Sequence, residues 1–252
     1  MLAKINKYAA IVSLFVWALT FTPGDNYKRV TSPEPELFSQ PLQAPPADTK
    51  PIVITRNNYH YLLKPLYDYT INALVVSKMD YSIITGKLGS IFTIDLCLVW
   101  GKNVENGLYR AKTIRFSQDC RWVFAEWYEP LAFDMNECSN NHLVIDRRDI
   151  LKTAKGIQVG DQIRIRGLLV SMDAIPFGKG KTDEGSFSYW KSSTNRSDKG
   201  AGACEVIYVK ELTVLKRLDP WKVTAHRIAL YGMVATVIIG LALFLITPPT
   251  VK

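Results

Sequence analysis

Residues 190–209, WKSSTNRSDKGAGACEVIYV, crowd hydroxyls, an arginine, an aspartate, two glycines and a cysteine ahead of an apolar run. Three readings fit those types. Acyl transfer needs a hydroxyl, a base within hydrogen-bond reach and a group that fixes the tautomer of the base. Ser192 or Ser193 would be the nucleophile, His142 the base and Asp198 the orienter. No GxSxG elbow marks either serine. A polar or anionic ligand would instead be cradled by Arg196, whose guanidinium forks onto carboxylate or phosphate. Gly200 and Gly202 would let backbone amides converge on an oxyanion, with Asn140 and Asn141 adding amide side chains. The third reading is structural and is the preferred one. Arg196 pairs with Asp198 or Glu205, Ser192 and Ser193 satisfy loop carbonyls, and the glycines take positive φ ahead of the last strand. His142 then bonds a neighbouring loop and holds a polar core together.

Metal chemistry has little to build on. His142 with Cys138 or Asp134 is a poor zinc set, and Cys97, Cys120, Cys138 and Cys204 contain no CxxC. Neither metal nor cofactor is expected. Four cysteines outside the cytosol permit disulfides, and Cys120 with Cys138 is the pair closest in sequence to closing one unit.

These residues need a scaffold, and the 252-residue chain reads as one soluble domain between two apolar ends. Residues 8–23 carry no charge and follow Lys4 and Lys7, the pattern of a signal anchor over 1–23 that is not cleaved. Residues 228–247, IALYGMVATVIIGLALFLIT, form a second uncharged run, long enough as a helix to cross a bilayer core of about 30 Å. Residues 24–51 read as a linker. Their stretch 31–51 holds six prolines and little apolar periodicity, so it should run extended for about 60 Å.

The domain, 52–218, reads as mainly β. Tyr59, Tyr61, Tyr67 and Tyr69 lie in a lead-in broken by Pro65, and a bent strand is expected over 81–91. Ile94, Leu96, Leu98 and Trp100 alternate with Asp95, Cys97 and Val99. One or two strands are expected in 110–128, a loop at 138–143 (CSNNHL), and a short helix over 146–155 capped by Asp146 and stopped by Gly156. Strands follow at 159–172 and 204–217. Five strands to one helix predict a small antiparallel, partly closed barrel or sandwich, with an OB-like barrel as a candidate architecture.

Four segments, in order, carry a resemblance: GLYRAKTIRFSQDCRWVFAEW, SNNHL, GDQIRIRGLLV and the opening WKSSTNRSDKGAGACEVIYV. Together they resemble a group of uncharacterised bacterial membrane-associated proteins with S-N-x-H-L and W-x-SS-x-x-R-x-D-x-G-x-GACE elements. The likeness covers about residues 59–215. It implies a single domain whose separated loops recur together, and no activity. Val144-Ile145 stand where the group's pattern has a proline after His-Leu.

The formal charge is +8. Acidic and basic residues interleave, as in Asp146-Arg-Arg-Asp149, which is the pattern of a solvated surface and not of a nucleic-acid interface. Lys4 and Lys7 place the N-terminus inside, so the domain is expected in the periplasm of a bacterial inner-membrane protein. Lys216, Arg217, Lys222 and Arg227 ahead of the second run vote the other way, and the first helix usually dominates. The preferred function is a non-catalytic scaffold, accessory or assembly protein that meets another envelope protein. The alternatives are a polar or anionic ligand-binding or sensing module, and a serine hydrolase using Ser193 and His142.

Overall fold

The computed structural model describes residues 2–20, 25–81, 91–119, 121–128, 130–178, 186–198, 200 and 203–246. In chain order these form α1 (Leu2–Thr20), β1 (Leu42–Ala44), β2 (Ile52–Arg56), β3 (Tyr59–Asp80), β4 (Phe92–Val99), α2 (Gly101–Glu105), β5 (Arg115–Asp119) and β6 (Trp122–Glu126). There follow β7 (Cys138–Val144), α3 (Arg148–Lys155), β8 (Gln162–Pro176), β9 (Phe187–Lys191), β10 (Glu205–Lys216) and α4 (Pro220–Ile246). The chain divides into two compact units, the terminal helices and Gly24–Leu218.

The helical unit holds α1 and α4, both long and apolar enough to cross a membrane. α4 begins eight residues before the uncharged run because Pro220, which needs no N–H partner at a helix start, opens it ahead of Trp221 and Lys222.

The other unit is mainly β. Its large sheet is mixed, and five strands form a ring in the order β3-β4-β7-β10-β8 and back to β3. All pairings in the ring are antiparallel except β7 with β10. The expectation of a wholly antiparallel sheet is corrected at that pair. The crossover between β7 and β10 contains α3 and β8, so those two strands meet in the same direction. The ring is irregular, with register steps at Pro65/Tyr67, Val75/Ser77 and Val209/Glu211.

Alternation fills the ring. Ile71, Ala73 and Val75 of β3, Ile94, Leu96 and Leu98 of β4, and Ile163 and Ile165 of β8 join one buried cluster, closed by Ile150 and Ala154 of α3. Lys78 fastens that helix: its Nζ donates to the carbonyls of Ala154, Lys155 and Ile157 at 2.9–3.0 Å. Burial pulls the Lys78 pKa down to about 8, and the three carbonyls compensate for lost water.

The outward faces of β3 and β4 are also covered. Leu74, Cys97 and Val99 pack under Tyr27, Val30, Leu37, Val104, Tyr109 and Phe116. This corrects the linker expected over 24–51. Residues 26–44 fold onto the sheet, with Tyr27 and Leu37 buried, Tyr109 Oη donating to Val30 O at 2.6 Å, and β1 pairing β3. Six prolines limit regular structure but leave Tyr27, Val30 and Leu37 free to fill an uncovered apolar face.

Three further expectations change. The tyrosine-rich lead-in is the first half of β3, a 22-residue strand that passes Pro65 by a register step. The CSNNHL segment is a strand, β7, between β4 and β10. The helix starts at Arg148 with no side-chain cap, and Asp146 accepts from Tyr208 Oη at 2.9 Å instead. Gly156 ends that helix as expected. Residues 82–90, most of the bent strand expected over 81–91, lie outside the described residues.

Gly167 sits where β8 is paired on both sides, opposite Tyr69 of β3 and Val209 of β10. A Cβ there would collide with the Tyr208 carbonyl oxygen, a backbone atom that cannot swing aside. Gly167→Ala is therefore expected to destabilise the domain by ~1–3 kcal/mol. Urea unfolding of the detergent-purified chain, followed by tryptophan fluorescence, checks this; an unchanged midpoint would remove Gly167 from ring closure.

Candidate functional site

Residues 195, 196, 198, 200 and 203–205 lie beside Trp122 and Val123 of β6 and the start of β7. A cleft of about 240 Å³ lies among them, lined by Trp100, Trp122, Met135, Asn136, Ser139, Asn140, Asn195, Arg196, Asp198, Gly200, Cys204 and Glu205. Strand register explains the convergence. Glu205 opposes Asn141 across the parallel β10–β7 pair, and β7 in turn pairs β4. Three of the four segments quoted from the sequence thus line the cleft, through Trp122, through Ser139 and Asn140, and through Arg196 and its neighbours; residues 160–170 do not.

Arg196 forms the floor of the cleft. Its Nη1 is ion-paired with Glu205, its Nη2 donates to Gln43 Oε1 at 3.3 Å, and its guanidinium lies 5.1 Å from the Tyr69 ring centroid. The pairing falls on Glu205, and Asp198 is used differently: Ser193 Oγ donates to Asp198 Oδ2 at 2.6 Å. Ser192 Oγ donates to the Ser193 carbonyl and accepts from Val206 N at 3.0 Å, which ties the loop to β10. Gly200 has φ +80, the left-handed region that glycine adopts without strain. Gly202 lies outside the described residues.

Glu205 is buried. Burial pushes its carboxyl up to about 7, against the pull of the Arg196 charge. Cys204, also lining the cleft, is pushed up to about 11 by burial, and its Sγ lies 3.7 Å from Asn140 Nδ2. A thiol held that high carries little thiolate at neutral pH.

A second polar cluster adjoins the cleft on the outward face of the ring. Asp95 of β4 stands directly opposite His142 of β7, and both are fully buried. Arg121 reaches them from the β5–β6 turn, its Nη1 donating to Asp95 Oδ1 at 2.9 Å and its Nη2 to Phe92 O at 3.1 Å. Its guanidinium lies 3.7 Å from the Tyr81 ring centroid. Arg121 holds φ +79, which costs a non-glycine residue about 1–2 kcal/mol. Asn140 Nδ2 donates to the Arg121 carbonyl at 2.7 Å, so the hairpin turn is fixed from both its backbone and its side chain. Asn141 bonds Leu96 O and Ser139 and takes no part in the cleft.

His142 Nδ1 lies 2.8 Å from Asp95 Oδ2 but out of line for a hydrogen bond. Neither ring nitrogen has a hydrogen-bond partner among the described residues. Phe92 and Trp190 pack against the ring, with centroids at 5.4 and 5.0 Å. The carboxylate beside His142 is thus Asp95, while Ser193 is engaged by Asp198 and Asn195. No hydrogen bond joins His142 to Ser192 or Ser193 among the described residues.

Cys97, Cys138 and Cys204 are free thiols, with Cys97 Sγ 3.8 Å from Cys138 Sγ. The neighbour of Cys138 is therefore Cys97 of the adjacent strand. Cys120, the partner expected for it, lies outside the described residues. Among the described residues no group of three or more metal-ligating side chains converges.

Sequence reasoning missed Asp95, Arg121 and Trp122. The signal for Asp95 was a single carboxylate inside the apolar FTIDLCLV. Such a residue is buried only when paired.

No family model, curated protein or solved structure matches the chain.

Two measurements test the Arg196–Glu205 pair. The folded chain holds the Glu205 proton to a higher pH than the unfolded chain does, about 7 against 4.5. The stability from Glu205 is then fully present below pH 4.5 and is lost as the pH rises through about 7. Melting curves at pH 5 and 7.5 should show a smaller drop for Glu205→Gln than for the wild type; equal drops would mean that Glu205 is ionised throughout. Arg196→Ala should cost ~1–3 kcal/mol at pH 7.5 and less at pH 5, where Glu205 keeps its own proton.

Proposed function

We propose that the chain is a membrane-anchored, non-catalytic binding module that presents the rim of the Arg196 cleft to a protein partner. α1 and α4 are read as its membrane anchors. Their mean hydropathies, 1.4 and 2.5, support that reading. The domain is read as an OB-like barrel. The ring order β3-β4-β7-β10-β8, the parallel β7–β10 pair and the position of α3 between β7 and β8 support it. With Lys4 and Lys7 on the inner side, the domain lies in the periplasm of a bacterial envelope.

One observation carries the partner reading. Trp122 and Phe124 stand on the outer side of β6 at 48% and 47% exposure, with Met135 at 39% and Tyr128 at 77% on the same excursion from the ring. Trp122 and Met135 form the rim of the cleft. Rigid aromatic side chains with wet edges are the usual anchors of protein interfaces. Arg121 and Asn140 hold the turn below them, so the aromatic row is pre-organised.

The ligand reading has less support. About 240 Å³ is below the ~300–1,000 Å³ of ordinary small-molecule pockets. Arg196, Asn140 and Asp198 are also already spent on protein partners. The hydrolase reading has least, because His142 is sealed beneath Phe92 and Trp190.

A photo-cross-linking residue placed at Met135 tests the proposal in native membranes. A single adduct is expected there, and none from the exposed Lys152 of α3. Trp122→Ala with Phe124→Ala should reduce the adduct about tenfold or more with little change in melting temperature. Partner-free, monodisperse extraction with no adduct at Met135 would count against a partner.

A further inference from the structure

We infer that α1 is a permanent in-membrane partner of α4 within the same chain, packed antiparallel along a polar seam, and not a leader that is removed. The inference rests on the membrane-anchored reading above. Three contacts define the seam. Asn6 Nδ2 donates to Thr236 O at 3.0 Å. Ser13 faces Gly232, where any Cβ would meet Ser13 Oγ at 2.5 Å. Thr20 Oγ1 lies 3.0 Å from His226 Nδ1, and the Trp17 and His226 rings are 5.7 Å apart.

The chemistry of each contact suits a bilayer. Lipid offers no hydrogen bonds, so an amide, a hydroxyl and an imidazole in apolar helices are stabilised by facing a neighbouring helix. Thr20 Oγ1 spends its proton on the carbonyls of its own helix, at 2.8 Å from Val16 O. It is left to accept from His226 Nδ1. Gly232 lets the backbones approach where Ser13 needs room, the small-residue device of membrane helix pairs. The contacts run 6 with 236, 13 with 232 and 20 with 226, so descending numbers on α4 meet ascending numbers on α1. The pair is antiparallel, with the start of α1 beside the end of α4.

A second observation, inside the domain, fits one anchor made of two helices. Ser32 and Glu34, which follow α1 in the chain, lie beside Lys216, which precedes α4. Lys216 Nζ donates to Ser32 O at 2.9 Å and pairs with Glu34 at 2.9 Å, and Glu34 N donates to Gln162 Oε1 at 2.6 Å.

Engineered cysteines in native membranes test this. Ser13→Cys with Gly232→Cys, in a chain carrying an N-terminal epitope and a protease site after the exposed Lys50, is oxidised with copper–phenanthroline. Residues 1–50 contain no native cysteine, so any link to that fragment must use the introduced one. The two cleavage fragments should run together at monomer size without reductant and separate with it. Asn6→Cys with Thr236→Cys should behave alike, and guards against a misfolded first pair. Ser13→Cys with Tyr231→Cys, which points away from the seam at 70% exposure, should not link. A dimer-sized adduct, an epitope missing from the membrane-bound chain, or equal linking in the Tyr231 control would each overturn the pairing. Alkaline carbonate extraction keeps the two readings apart: a chain released by carbonate sinks the membrane anchor itself. A chain that stays bound and forms no link in either seam pair sinks only the helix pair.

Discussion

Three buried carboxylates on the ring are each claimed by an arginine from a segment outside it. Asp95 is held by Arg121 of the β5–β6 turn, Glu205 by Arg196 of the loop before β10, and Asp161 by Arg217 beyond β10. The acids are 0%, 3% and 2% exposed, and the arginines 21%, 25% and 28%. A carboxylate stripped of water is stabilised only by a partner with good geometry, and removing that partner is far worse than never having had the pair. Each ion pair therefore dictates where an otherwise irregular segment must lie. The ring could close through its apolar residues alone, but the hairpin, the cleft loop and the exit toward α4 have their positions set by these three contacts.

That constraint changes the meaning of the residues that looked chemical. Arg196, Asp198, Ser192 and Ser193 form a latch: the arginine reaches into the ring, and the hydroxyls bond the loop to itself and to β10. Asn140 joins the latch to the hairpin through the Arg121 carbonyl and the Cys204 thiol. In the proposed binding role, side chains already held by these bonds would lose little entropy when a partner docks.

The sequence was legible where period and punctuation act locally. Ile163 and Ile165 point inward, β10 spans almost the expected residues, Gly156 stops α3, and both apolar runs are helical over their described residues. It was illegible where a third element decides the outcome. SNNHL reads as a loop because it is polar, yet it is a strand because β4 and β10 satisfy its backbone from both sides and Leu96 O and Arg121 O accept from its two asparagine side chains. The prolines of 31–51 read as a stalk because nothing local shows that Leu74, Cys97 and Val99 leave an outward apolar face for Tyr27, Val30 and Leu37 to cover. The choice of Glu205 over Asp198 for Arg196 has the same character. Sequence distance favours Asp198, but Glu205 faces inward beside Tyr69 and has greater need of the charge.

The folded lead-in also bears on the proposed partner. An extended stalk would let the domain search a wide shell around its anchor. Here the chain is bound to the ring from Asn26 onward, through Tyr27 and Val30, and remains bound as far as Leu218, whose N–H donates to Asp161 Oδ1 at 3.4 Å. Five residues separate Thr20 from Asn26, and one separates Leu218 from Pro220. If α1 and α4 anchor the chain as proposed, tethers this short would raise the effective concentration for partners held in the same membrane and add nothing for those that are not. On that proposal a modest aromatic rim would be sufficient for stable engagement, because anchoring would remove much of the translational freedom that binding must otherwise offset. On the proposed anchoring, the exposed Trp122–Phe124 row would suit a membrane-resident partner better than a diffusing one.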